Sequence, residues 1–186
     1  MANFKEAYDK TMGHEGGYGN DPDDVGGETY KGISRVYNPS WSGWIVIDAA
    51  KNGPDFPSSL DANVALQNSV GEFYKDKYWD VNRLDVFPQS VAEEMFDTGV
   101  NMGVGRAARF LQKALNYLNR NGKLYGDLDV DGKIGPASLN AMAACKNDER
   151  VILAMLNTLQ GMHYMNYMDK SPSQKKYARG WFKRVG

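Results

Sequence analysis

The sequence predicts a mainly α-helical protein with a small loop and β-hairpin region near its N-terminus. Three observations carry this. Apolar residues recur at helical spacing in most of the chain. The stretch HEGGYGNDPDDVGGETYKGI, residues 14–33, breaks that pattern with five acidic side chains, six glycines and almost no aliphatic residue. Such a stretch forms neither a core helix nor a buried strand. Finally, a hydrophobic content of 42% over 186 residues is enough to bury a real core, which excludes wholesale disorder.

The elements follow in order. Residues 3–12 read as a first helix, with Phe4, Ala7, Tyr8 and Met12 on one side and Asn3 with Glu6 as a capping pair. It stops near Gly13, because Gly16, Gly17 and Gly19 follow; Pro22, Gly26 and Gly27 keep the next segment in loops or tight hairpins. Residues 29–36 read as a short strand or the entry to another helix. Residues 38–59, rich in Pro, Ser, Gly and Trp, read as irregular and pinned by Trp41, Trp44 and Phe56, with an aromatic lining for a sugar as the sharper alternative. Residues 61–80 read as a helix through Leu66, Val70, Phe73, Tyr74 and Lys77. After Pro88, Ser90 and Glu93 form a capping-box pattern ahead of a helix to about Val100. Ala108, Leu111, Leu115 and Leu118 predict a helix over 105–119, closed by an Asn121-Gly122 turn. Further helices are expected over 136–145 and 151–168, with a last short one over 172–183.

Composition narrows the function classes. The 22 basic and 23 acidic residues give a formal net charge of −1, so there is no global pull toward nucleic acid or an anionic membrane. Lys175, Lys176, Arg179, Lys183 and Arg184 cluster near the end and read as a solvated helix face. The single cysteine, Cys145, permits neither an intrachain disulfide nor a cysteine-based zinc site, and suits a reducing origin. No run of eighteen apolar residues is present, so no stable membrane insertion is expected. The first residues lack a basic segment followed by an apolar core, so synthesis in the cytoplasm without a Sec signal is expected.

The front loop fits acid–base chemistry. Glu15 stands just past the first helix, which holds its backbone while the following loop shapes a cleft. A general acid must keep its proton near neutral pH, whereas a second carboxylate in a wetter place stays ionised and stabilises a developing cation or holds a water. Asp21, Asp23 and Asp24 are candidates for that second role, and Thr29 can orient the water. This is the two-carboxylate logic of glycoside hydrolysis. Rival chemistries fit less well. Asn20, Asp21, Asp23 and Asp24 are hard oxygen ligands but lack the EF-hand spacing, and so many carboxylates disfavour a phosphate cradle. His14 and His163 are the only histidines, too few for a histidine-based zinc site; His14 reads as a residue that either hydrogen-bonds locally or tunes Glu15. Farther on, Asp127, Asp129, Asp131 and Gly132 match the first half of an EF-hand loop, but Ser138 occupies the twelfth position. The better reading is a turn at Gly132 with Pro136 in the first turn of a helix.

Glu15-Gly16-Gly17-Tyr18, then Asn20-Asp21-Pro22, then Gly26-Gly27-Glu28-Thr29-Tyr30-Lys31-Gly32-Ile33 resemble the signature of glycoside hydrolase family 108, phage and prophage endolysins that include proteins described as secretion activators. Gly19 stands where a bulkier residue is common in that family. The stretches from Phe96 to Gly103 and from Ala107 to Gln112, and the turn Asp131-Gly132-Lys133-Ile134-Gly135-Pro136, resemble the peptidoglycan-binding domain that accompanies the catalytic module. The resemblance implies a lysozyme-like, two-lobed fold, with a catalytic region over 1–87 and a helical peptidoglycan-binding region over 88–186 that could equally be the second lobe of one domain. It implies an N-acetylmuramidase with Glu15 as its acid, assisted by Asp21 or Asp24 and by Thr29. Tyr18, Asn20, Tyr30 and Asn101 are the implied substrate contacts. No cofactor or metal is implied. The expected partner is bacterial peptidoglycan, met in the periplasm or outside the cell after exit through a holin-type pore. A non-catalytic wall-binding module serving secretion or assembly, a lytic transglycosylase and a purely structural phage protein stand as alternatives.

Overall fold

The computed structural model describes residues 1–12, 16–21 and 26–185. Helices α1 (Phe4–Met12), α2 (Gly43–Ala50), α3 (Val64–Tyr74), α4 (Gln89–Met102), α5 (Val104–Leu118), α6 (Pro136–Ala144), α7 (Glu149–Lys170) and α8 (Ala178–Trp181) account for most of the described chain. Strands β1 (Tyr18–Asn20), β2 (Glu28–Tyr30) and β3 (Ile33–Ser34) form one antiparallel sheet in sequence order. This is the mainly α architecture with a front hairpin region that the sequence predicts. The chain divides into two compact units, Tyr8–Lys77 and Met1–Ala7 with Tyr78–Gly186.

In the Tyr8–Lys77 unit, β2 and β3 are joined by Lys31 and Gly32, both with positive φ (44° and 77°). That is the backbone twist a two-residue hairpin needs. Tyr74 fixes the turn by donating its hydroxyl to the Lys31 carbonyl at 2.8 Å. Helix α3 starts where Asn63 caps it, its side chain accepting from the Leu66 amide at 2.9 Å, a bond of a kind that contributes about 1 kcal/mol. Leu66 and Val70 are fully buried. The helix then continues as a π turn, Lys75–Trp79.

The segment 38–59 departs from expectation, because α2 lies inside it. Trp44 and Ile47, one helical turn apart, are 3% and 0% exposed and bury the face that holds this helix in place. The pinning role of the tryptophans holds. Trp44 donates its indole N–H to the Asn38 carbonyl at 2.8 Å, and the Trp41 ring meets it edge-on at 5.0 Å.

In the other unit, Asn3 caps α1 as expected. Its Oδ1 accepts from the Lys5 amide at 2.9 Å, and its amide donates to Glu6 at 3.1 Å. Helices α4, α5 and α7 pack on one another through Val91, Met95, Phe96, Ala108, Leu111, Leu115, Ile152 and Leu156, all buried. Trp79 is 1% exposed and takes Phe4 and Phe96 edge-on at 5.6 and 6.0 Å. The capping box at Ser90 does not form. Gln89, directly after Pro88, already starts α4, so Ser90 sits inside the first turn. Ser90 donates instead to Glu149 at 2.5 Å, and Glu93 accepts from Gln89 at 2.9 Å. The expected last helix is a 3₁₀ segment, Pro172–Tyr177, followed by the single turn α8. Of the basic cluster there, Arg184 is not merely solvated: it pairs with Asp97 at 2.9 Å.

The Asp131-Gly132 turn is built against α5. Gln112 donates to Asp131 Oδ1 at 2.8 Å and accepts from the Gly132 amide at 2.9 Å, while Asp127 accepts from Asn119. These carboxylates therefore serve the loop's own hydrogen bonding. Pro136 opens α6 as expected. Gly132 has φ of 82°, and a Cβ there would lie 2.7 Å from the Gly105 carbonyl oxygen. Gly132→Ala is expected to cost about 2 kcal/mol or more, from left-handed strain plus a backbone clash; equilibrium denaturation measures it. Beyond this turn, Cys145 is fully buried, 3.1 Å from the Tyr125 hydroxyl. Tyr125 has one proton and gives it to the Leu115 carbonyl at 2.8 Å, so the thiol is the donor to the phenol oxygen.

Candidate active site

The site predicted from sequence begins where α1 ends, at Met12, and runs through the hairpin. Glu15, Asp24, His14 and Asp23 lie outside the described residues. Asp21 follows β1 and is exposed.

Strand register sorts the remaining candidates. Gly19 pairs with Thr29, and Thr29 with Ser34; Tyr18 pairs with Tyr30, and Tyr30 with Ile33. Side chains alternate across a strand, and directly opposed residues share a face. Gly19, Thr29 and Ser34 therefore occupy one face, and Tyr18, Asn20, Glu28, Tyr30 and Ile33 the other. Thr29 is separated from the tyrosines that were expected to work beside it.

On the Thr29 face the hydroxyl stands beside a residue with no side chain. A Cβ at position 19 would lie 3.2 Å from Thr29 Oγ1, tighter than an ordinary contact. Glycine here keeps the space over the hydroxyl open, which gives a physical reason for the departure noted at this position. Ser34 turns away to donate to the Gly26 carbonyl at 2.6 Å. No described residue bonds to the Thr29 hydroxyl.

The opposite face is structural at one end and exposed at the other. Tyr30 is 1% exposed; its hydroxyl donates to Asp61 at 3.2 Å and accepts from Gln67 at 2.9 Å. Burial first of all pushes its phenol upward. This ring sits in the core and offers no face to a sugar. Tyr18 is half-buried with its edge against Phe56 at 4.7 Å, and Asn20 is exposed.

Glu28, the second glutamate of the motif, has a role the sequence did not reveal. Its carboxylate lies 2.7 Å from Arg35 Nε, in ion-pair contact without hydrogen-bond alignment, and 2.8 Å from Lys51 Nζ. Arg35 also holds Asp48 through two bonds of 3.0 and 2.6 Å, and Lys51 reaches Asp48 at 2.8 Å. This four-charge network ties the hairpin to α2. The only sequence signal was Asp48 and Lys51 three residues apart, visible once α2 is recognised.

The Arg35 hydrogen bond, then that of Lys51, lowers the Asp48 carboxyl to about 2. An unperturbed aspartate titrates near ~3.9. The folded value is the lower one, so the stabilisation is present above about pH 4 and disappears as pH falls through about 2. Wild type and Asp48→Asn are expected to show a small difference in denaturation midpoint near neutral pH that closes toward pH 2. A gap that widened on acidification would contradict this.

Asn101 belongs to the other unit. It is exposed at the end of α4 and donates to the Asp97 carbonyl at 2.8 Å. It borders a cleft of about 420 Å³ with Arg106, His163, Tyr167 and Trp181.

The family model for glycosyl hydrolase 108 matches residues 8–103, slightly more than half of the sequence. The chain belongs to glycoside hydrolase family 108. A second family model, described as "Predicted Peptidoglycan domain", matches residues 106–186 of this family 108 protein. The structure of SagA from Brucella abortus superposes with a TM-score of 0.61 over 98% of this chain and 88% of that one, at 22% identity. At that identity the likeness speaks for the fold, which is the mainly α, lysozyme-like class expected. No curated protein matches the sequence. The two family matches together make this a glycoside hydrolase that acts on peptidoglycan, and hence at the cell wall.

Proposed function

We propose that the protein is an N-acetylmuramidase whose general acid is Glu15. Glu15 gives its proton to the bridging oxygen as the bond from that oxygen to the muramic-acid C1 breaks, and positive charge develops at C1. Asp21 or Asp24 faces that charge or takes the proton of the incoming water, whose oxygen adds to C1. Thr29 orients the water. Tyr18 and Asn20 stand on the exposed part of the hairpin, where a glycan strand can be met. The helical region over 88–186 holds the wall, and a holin-type pore is the exit route that fits this reading. Among the described residues no helix is long and apolar enough to cross a membrane.

The observation that supports this reading best is the setting of Thr29. It stands mid-strand within the family 108 match, its hydroxyl beside Gly19, and no described residue bonds to it. A hydroxyl kept available in this way suits a water-positioning group.

Soluble fragments released from purified peptidoglycan, read by mass spectrometry, test the proposal. Reducing muramic-acid ends are expected. Anhydromuramyl ends would replace hydrolysis by lytic transglycosylation. Sedimentation with the wall and no fragments would leave a binding module.

A further inference from the structure

The cleft beside Asn101 has a chemistry of its own. Arg106 Nη1 lies 2.8 Å from His163 Nε2. A guanidinium only donates, so Nε2 accepts and the ring is neutral, with its proton on Nδ1. Burial first, then the charges of Arg106 and Lys170, hold the His163 imidazole below its usual range. Two cations therefore flank a neutral ring. Among the described residues neither Arg106 nor Lys170 has an ion-pair partner. The other wall is aromatic: Trp181 stacks on Tyr164 at 5.0 Å and 15°, with Tyr167 at 5.9 Å and 44% exposed. Exposed arginines are commonly just solvated, but this one opens into a concave, aromatic-walled site of ligand size.

We propose that this cleft binds a carboxylate-bearing muramyl unit of the wall, with the carboxylate on Arg106 and an apolar sugar face against Tyr167. The assignment rests on peptidoglycan as the partner and is independent of the cleavage mechanism. A peptide-substituted muramyl unit carries both features the cleft answers: a planar peptide carboxylate that suits a guanidinium fork and a flat apolar sugar face that suits an aromatic platform. One directly facing arginine suits a carboxylate better than a doubly charged phosphate. The site lies in the region matched by the peptidoglycan domain, apart from Asn101 and Met102 just ahead of it.

The intact protein can be titrated with purified disaccharide-tetrapeptide from the wall, followed by calorimetry and by NMR. This fragment is the end product of muramidase action, so cleavage does not interfere. Arg106→Ala should weaken binding by about 10- to 100-fold, the range for a charge-assisted hydrogen bond, with Arg106→Lys in between. Amidating the peptide carboxylates should weaken binding to the wild type equally. In this fragment the lactyl carboxyl is consumed in the amide to the peptide, so the anion that reaches Arg106 is a peptide carboxylate; undiminished binding after amidation would overturn the proposal. Absence of binding at millimolar fragment, or binding that Arg106→Ala leaves unchanged in a variant with native circular dichroism, overturns the proposal. Neither result touches the cleavage assay, so the two readings fail separately.

Discussion

Glu15→Gln is expected to lower the rate of glycan cleavage by about 10²- to 10⁴-fold, the usual worth of a positioned general acid. The amide keeps the shape of the side chain and removes the proton donor. Its denaturation midpoint should stay near that of the wild type, because the change is nearly isosteric and the sequence around it, HEGGYGN, carries no aliphatic residue. Reducing-end release from purified wall, measured beside a thermal melt, separates the two effects. Asp21→Asn and Asp24→Asn, assayed in the same way, assign the second carboxylate: the assisting residue should lose activity by a comparable factor and the other should lose little. Wild-type cleavage by Glu15→Gln would end the assignment of the acid.

Trp79→Ala should destabilise its unit by about 3–5 kcal/mol, the range for deleting a large aromatic from a closed core. The side chain is 1% exposed, and the rings of Phe4 and Phe96 that meet it edge-on have nothing to replace it. Denaturant titration reads the loss directly. A cost under about 1 kcal/mol would mean that the site collapses around the cavity far more fully than dense packing allows.

The sequence was most legible where periodicity ran long. The helix expected over 105–119 is α5, Val104–Leu118, and the one expected over 136–145 is α6, Pro136–Ala144. Helix α5 carries an apolar stripe behind Gly103, and α6 opens on the Gly135-Pro136 pair, so local pattern and tertiary packing agree. Helix α2 escaped because it is short, and its run of Ile45, Val46 and Ile47 sits among Pro, Ser, Gly and Trp; only Trp44 and Ile47 packing against the body makes it a helix. At Ser90 the motif was present and the helix simply began two residues earlier, with Pro88 in the cap position. The hairpin shows the same divide. Composition marked residues 14–33 as a candidate active loop, and the tight turn at Lys31-Gly32 could be read nearby. That Tyr30 is buried while Tyr18 stays near the surface depends on Asp61 and Gln67, more than thirty residues away, and so does not show in local sequence. Glu28 looked like one more loop carboxylate for the same reason; its partners Arg35 and Lys51 come together only through the fold.

The buried thiol of Cys145 gives the protein a built-in clock for its own breathing. With the sulfur fully covered and its proton directed at Tyr125, a thiol reagent has access only when that part of the chain opens. Because the sequence holds no other cysteine, the labelling rate in native buffer reports one opening event at one place. A new cysteine introduced on the surface could then be tagged selectively within seconds, with the native one left silent until the structure yields.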